Sequence, residues 1–132
     1  MSAGTTPRPK HYRPWYDLNL AHLPAPGLLS IFHRVSGAFL FFPVLPLLLW
    51  ALQSSLASEE GYARCQELAS RPVAKLALIV VAWLFAHHFF AGLRYLALDL
   101  HWGVDKAPAR ASALVAMALG MLSALAFAWR IW

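Results

Sequence analysis

Residues 75–101 read KLALIVVAWLFAHHFFAGLRYLALDLH, an apolar stretch in which ionisable side chains appear before the hydrophobic run has ended. Its length is sufficient to cross a bilayer, which needs about 20 mostly apolar residues. Two histidines, His87 and His88, lie deep in the stretch, and Arg94 and Asp99 follow them. Because ionisable groups inside a membrane are costly unless they face a partner, they indicate a functional site.

The polar residues of this stretch fall on one side of the predicted helix, which turns by about 100° per residue. One stripe contains His88, Gly92, Tyr95 and Asp99, and the adjoining stripe contains His87 and Arg94. The opposite arc is wholly apolar and consists of Phe89, Phe90, Leu93 and Leu96. We therefore expect one face to meet lipid and the other to meet a polar, aromatic or metallic partner.

The whole chain has the composition of a membrane protein. It has 132 residues, of which 60% are hydrophobic and 13% are charged, whereas a soluble domain carries roughly 25% charged residues. Three stretches without charge are long enough to span a bilayer, at 35–58, 76–93 and 111–129. We predict an all-α fold with three transmembrane helices in an antiparallel up-down bundle.

The predicted domain organisation is a single membrane-anchor domain over residues 1–132. It comprises an N-terminal arm at 1–27 and spans at roughly 28–53, 73–100 and 110–131. Five prolines in the arm block a continuous helix. We expect an extended arm that lies on the membrane or against a partner, and a disordered tail is the alternative. The arm has no early apolar core, so it does not resemble a cleaved signal peptide.

The net charge of +5 does not indicate a nucleic-acid partner, because the basic residues lie at helix ends and in short connections. There they act as anchors at the membrane interface. Six of them flank one side of the predicted bundle and four the other, which places the N-terminus in the cytoplasm. Cys65 is the only cysteine, which excludes an internal disulfide and a cysteine-ligated cluster on this chain.

The first span carries a polar face at its start and prolines in its middle. Ser30, His33, Arg34 and Gly37 lie at helical spacings of three to four and share a face. Snorkelling of Arg34 to the headgroups is the structural alternative to a functional role. Pro43 and Pro46 favour a kink.

The other segments have simpler patterns. The run from Ser58 to Glu60 is typical of a helix start and is consistent with a short surface helix. The third span is rich in small residues that let helices pack closely.

Antiparallel order brings the start of the first span beside the end of the second. The residues expected near that membrane surface are Ser30, His33, Arg34, Arg94, Tyr95 and Asp99. His88 precedes Arg94 by six residues and therefore lies about 9 Å deeper, at 1.5 Å per residue. A deep imidazole below a cationic rim suits haem b, whose iron a neutral imidazole binds, or a quinone.

Structural interpretations of the same residues stay open. His87 and His88 are also explained as histidines hydrogen-bonded between helices, Arg94 and Asp99 as an ion pair, and Gly92 as a packing glycine. The spacing of the histidines does not indicate a second haem ligand at the depth of His88 on this chain. The second axial ligand of a haem would then come from another chain.

Three segments resemble one family. SIFHRVSG at 30–37 is similar to the S-x-x-H-R-x-[ST]-G signature of the cytochrome b subunits of succinate dehydrogenase, and HFFAGLRYLALDL at 88–100 is similar to their second signature. RPWYDLNL at 13–20 resembles the segment before their first helix. The resemblance implies a three-helix anchor in the inner (cytoplasmic) membrane. Its core would be completed by a second small anchor subunit, and it would carry iron–sulfur and flavoprotein subunits.

The same resemblance implies roles for individual residues. His88 matches the axial ligand of haem b, and His33 and Arg34 match residues near the haem propionates. Ser30 and Arg34 match residues that line the ubiquinone pocket. Arg94 is a motif residue, and Tyr95 replaces the usual histidine after it.

The implied function is transfer of electrons from the iron–sulfur subunit to ubiquinone, with succinate oxidised on another chain. Three alternatives are a fumarate reductase anchor, a haem-free structural anchor or assembly factor, and a transporter subunit with a histidine proton relay.

Overall fold

The computed structural model describes residues 23–132, and every regular element in that range is helical. The elements are α1 (Ala25–Phe39), a π-helical segment (Leu40–Val44), α2 (Leu45–Ala57), α3 (Glu59–Ser70), α4 (Pro72–Asp99) and α5 (Lys106–Ile131). Three continuous helices are long and apolar enough to cross a membrane, namely Ala25–Ala57, Pro72–Asp99 and Lys106–Ile131. The predicted all-α fold with three spans is confirmed. Most of the N-terminal arm lies outside the described residues.

The first span, Ala25–Ala57, begins three residues before its predicted start. Pro24 has extended backbone angles and precedes the helix, and Pro26 lies in the first turn. Proline is tolerated there because the first backbone N–H groups of a helix have no partner within the helix. Pro26 therefore belongs to the first turn of the span.

The π-helical segment lies at Pro43, in the middle of the first span. Proline lacks an N–H group and cannot donate to the carbonyl four residues earlier. The chain widens locally instead, and the N–H of Leu45 donates to the carbonyl of Leu40, five residues back. The prolines that predict a kink thus produce a π-helical turn.

The short helix α3 begins where the sequence indicates. The side chain of Ser58 accepts a hydrogen bond from the backbone N–H of Gly61 at 3.0 Å, and Glu59 and Glu60 occupy the first turn. Both features stabilise a helix N-terminus. Two exposed ion pairs at spacing four, Glu60–Arg64 and Glu67–Arg71, run along the same helix.

The three spans pack through small side chains. Ala113, Ala116, Gly120 and Ala124 recur every three or four residues along α5 and are buried. A Cβ on Gly120 would lie 3.0 Å from the Cα of His87. The backbones of α4 and α5 therefore approach closely, as small residues permit in membrane helices.

The outer surface of the bundle is strongly apolar. Phe89, Leu93 and Leu96 are about half exposed, which matches the arc predicted to face lipid. Phe90 differs from that prediction, because it packs against the core around Leu29 and Ala91. The interior consists mostly of small side chains, and the large apolar side chains point outward.

Candidate cofactor site

The rings of His33 and His88 stack between the first span and α4. Their centroids are 4.2 Å apart and their planes differ by 10°. The start of the first span therefore lies beside the later part of the second, as antiparallel order predicts. The same ring is 5.1 Å from that of Tyr95, centroid to centroid, so His33 lies between His88 and the predicted rim residue Tyr95.

The hydrogen bonds of His88 indicate which of its two ring nitrogens carries the proton. Nδ1 lies 3.1 Å from the carbonyl oxygen of His33 and 3.3 Å from Oγ of Ser36. A carbonyl oxygen only accepts hydrogen bonds, so the proton is on Nδ1 and Nδ1–H donates. In that tautomer Nε2 carries the lone pair, which is the form in which an imidazole binds a metal.

Gly37 makes room for the His88 ring. A Cβ at this position would lie 2.8 Å from Cε1 and 3.2 Å from Nδ1 of His88, closer than side-chain contacts allow. Gly92, one turn after His88 on α4, does not have this role. A Cβ on Gly92 would meet only Nε2 of His33 at an ordinary 3.7 Å. The glycine that His88 requires thus comes from the opposite helix.

His88 and Gly37 border an apolar groove of about 530 Å³ between the first span and α4. Its other walls are aliphatic and aromatic and include Leu40, Phe41, Phe85 and Phe89. The groove opens on the outer side of the bundle. Such an apolar cleft with one imidazole on its wall fits a large flat ligand whose metal the imidazole binds.

His87 points in a different direction from its neighbour. It is 2% exposed and packs against Gly120 of α5. Its ring lies 5.5 Å from that of Trp83 and 6.0 Å from that of Phe32, centroid to centroid. Within residues 23–132, Nε2 of His87 has no hydrogen-bond partner. The structure thus directs His88 to the groove and His87 to the interior.

Ser30 and Arg34 form a pair one turn apart on the first span. Nη2 of Arg34 donates to Oγ of Ser30 at 3.3 Å, and the Arg34 side chain is exposed. In the described part of the chain Arg34 has no acidic partner within ion-pair distance. Its guanidinium therefore keeps donors for an anionic or carbonyl group.

Arg94 faces the third span rather than the first. Nε donates to Oγ of Ser112 at 3.0 Å, and Nη2 donates to the carbonyl of Ala109 at 3.0 Å. The side chain is buried. Asp99 is exposed and forms no ion pair with Arg94, so these two residues are not the structural pair that the sequence left open. A role of Arg94 in cofactor binding stays a prediction.

Tyr95 lies next to the histidine stack. Its ring centroid is 5.1 Å from that of His33, and the guanidinium of Arg94 lies 5.5 Å from the centre of its ring. Its hydroxyl is buried and has no hydrogen-bond partner among residues 23–132. A buried hydroxyl normally has a partner, so Tyr95 offers a donor to a group outside this part of the chain.

The sequence model for the "Succinate dehydrogenase/Fumarate reductase transmembrane subunit" family matches residues 9–127, which is most of the chain. The chain belongs to this family. Over 118 residues it is 34% identical to the succinate dehydrogenase cytochrome b556 subunit of Coxiella burnetii, covering 88% of this chain and 93% of that one. It is 33% identical over 75 residues to the protein of the same name from Rickettsia prowazekii, covering 57% and 56%.

As a member of the succinate dehydrogenase/fumarate reductase transmembrane subunit family, the chain is a multi-pass membrane anchor of the cytochrome b type. Of the residues predicted for its site, the structure brings together His33, His88 and Tyr95, and it pairs Ser30 with Arg34. In residues 23–132 no three His, Cys, Asp or Glu side chains are grouped to bind a metal ion.

Two residues of this family member were not assigned a role from sequence. Ser36 and Gly37 both contact His88. The available signal was their position three and four residues after His33, which places them on the same helical face. Gly37 was placed on that face, but its contact with His88 depends on how the two helices pack.

Proposed function

We propose that this chain is the haem b- and ubiquinone-binding membrane anchor subunit of a succinate:quinone oxidoreductase. It passes electrons from an iron–sulfur subunit to ubiquinone. One observation carries the proposal: Nδ1–H of His88 donates to the carbonyl of His33, which leaves Nε2 available beside the groove. Histidines that bind metals in proteins typically donate their other N–H in this way.

His88 is the residue that would bind the iron, through Nε2. When bound, haem b supplies a one-electron redox centre. The groove next to His88 and Gly37 would receive the porphyrin on an apolar wall. Cations and donors suit the two propionates, and His33, Arg34, Arg94 and Tyr95 are the candidates for these contacts. A second small membrane-anchor subunit would share the haem and supply the other iron ligand.

Ser30 and Arg34 are the proposed ubiquinone contacts. Both side chains are hydrogen-bond donors, and quinone carbonyls are acceptors. The exposed guanidinium of Arg34, already oriented by Ser30, supports this role. The pair lies in the first turns of the span, so water at the membrane surface would supply the protons that quinone reduction consumes.

The proposed partners are the second anchor subunit, the iron–sulfur subunit, the flavoprotein subunit and membrane lipid. The exposed apolar surface of the bundle supports an anchor that packs against another membrane subunit. The proposed location is the inner (cytoplasmic) membrane with the N-terminus in the cytoplasm, as the six basic residues against four indicate. Succinate would be oxidised on the flavoprotein chain.

Fumarate reduction is the second candidate, because the family includes anchors of both enzymes by its description. The relatives named above are called succinate dehydrogenase subunits, which favours succinate oxidation. The ratio of succinate–ubiquinone reductase to quinol–fumarate reductase activity in the purified complex distinguishes the two directions.

Copurification tests the proposal directly. The tagged chain, expressed in its own host and extracted in mild detergent, should bring the three partner subunits and a b-type band in the reduced-minus-oxidised spectrum. The preparation should also reduce ubiquinone with succinate. An assembled and active complex without a b-type band would contradict the haem and support a haem-free anchor. A chain that purifies without the soluble subunits would contradict the proposed anchor function.

A further inference from the structure

One turn of the first span encloses the ring of His88. The His33 ring covers one face of it at 4.2 Å, and the His33 carbonyl receives its Nδ1–H. The backbone at Gly37 lies against the Cε1 edge, where a Cβ would come within 2.8 Å. Residues 33–37 thus fix the position, the tilt and the tautomer of an imidazole that belongs to another helix.

Ser36, within residues 33–37, adds a polar contact to His88. The residue is 1% exposed, and its hydroxyl donates to the His33 carbonyl at 3.0 Å while lying 3.3 Å from Nδ1 of His88. Two donors therefore share one carbonyl oxygen. The hydroxyl weakens the bond from that oxygen to Nδ1–H, because it competes for the same acceptor.

The strength of the Nδ1–H bond affects the other nitrogen of the ring. A stronger acceptor at Nδ1–H makes a metal-binding histidine more basic. Hydrogen bonding near the axial ligand is one of the ways in which a protein sets the potential of a haem. We infer that Ser36 and Gly37 are positioning residues for the haem ligand: Gly37 sets the orientation of the His88 ring, and Ser36 tunes the basicity of its Nε2. This inference depends on the proposed function, since it takes His88 as the ligand.

The test uses the whole complex purified with its partner subunits and carrying Gly37→Ala or Ser36→Ala. Each has a matched control on the same span. Gly27→Ala introduces a Cβ whose nearest neighbours lie at an ordinary 3.7 Å. Ser55→Ala removes a hydroxyl that, like Ser36, donates to the carbonyl three residues earlier, here that of Leu52 at 2.8 Å. Haem content, the g values of the ferric haem in electron paramagnetic resonance, and the midpoint potential are measured.

Gly37→Ala should shift the g values or reduce the haem content, because the added Cβ displaces the His88 ring. Loss of helix stability does not explain such a result, since alanine favours a helix more than glycine does. Ser36→Ala should keep the haem and lower its midpoint potential, because the His33 carbonyl loses a competing donor and His88 stabilises the ferric state more. Both controls should match the unmodified complex. Loss of assembly in Gly37→Ala but not in Gly27→Ala would also support the close contact of Gly37 with His88. An unchanged potential in Ser36→Ala would contradict the role of Ser36.

Two results separate the inference from the proposed function. If His88→Ala removes the haem while Gly37→Ala and Ser36→Ala behave like their controls, the positioning role is wrong and the ligand assignment stands. If His88→Ala retains the native b-type spectrum, the ligand assignment itself is wrong.

Discussion

Gly120 of α5 lies directly against the backbone of His87 in α4, where a Cβ would come within 3.0 Å of the His87 Cα. This contact makes α4 and α5 neighbours at close range and directs the His87 side chain into the interior. The adjacent residue, His88, then points about 100° away, towards the first span. The packing of α4 against α5 at Gly120 thus leaves His87 buried and His88 facing the first span.

Replacement of His88 by Ala should abolish or alter the b-type spectrum, because Nε2 of His88 is the nitrogen available beside the groove. The same replacement at His87 should leave the band position largely intact. Reduced-minus-oxidised spectra of the two purified complexes make the comparison. The opposite pattern, with the band lost only in His87→Ala, would show that the ligand is the interior histidine.

Replacement of Arg34 by Ala should lower succinate–ubiquinone reductase activity more than succinate oxidation with a soluble artificial acceptor. The reason is that Arg34 offers its donors near the membrane surface, at the proposed quinone site, and is not required for succinate chemistry. Loss of one hydrogen bond to a charged group is worth about 1.5–3 kcal/mol, roughly a 10- to 150-fold effect. Equal losses in the two assays would point to failed assembly.

Replacement of Gly120 by Leu should destabilise the bundle, because the side chain has no space against the His87 backbone. Overpacking of this kind costs about 1–3 kcal/mol. The control is Ala118→Leu on the exposed side of the same helix. Thermal unfolding of the purified complex in detergent, followed by the haem band, should show a lower midpoint for Gly120→Leu alone, and equal midpoints would contradict the close helix contact.

Replacement of Arg94 by Lys tests whether this residue is structural. Its donors to Ser112 and Ala109 join α4 to α5, and hydrogen bonds between membrane helices contribute about 0.6–2 kcal/mol each. A structural role alone predicts a lower thermal midpoint with an unchanged b-type band. Ser112→Ala should show a smaller loss, and the two effects should not add in the double variant because they remove a shared contact. A shifted haem band with native stability would instead support a cofactor contact.

The sequence by itself determined the three spans, the start of α3 and the family. Each depends on information within one segment: the length of an apolar run, the capping residue Ser58, or a motif such as SIFHRVSG. Helical periodicity also separated His87 and His88 into two stripes, since their angular separation depends on one helix alone.

Only the tertiary structure decided what each stripe faces. Periodicity fixes angles around a helix axis, but the neighbour at a given angle depends on how the spans pack, which small residues such as Gly120 control. For this reason Arg94, placed with the rim by its depth, faces Ser112, and Gly37 rather than Gly92 makes room for His88. The stacking of His33 on His88 likewise depends on how the first span packs against α4, which neither helix shows by itself.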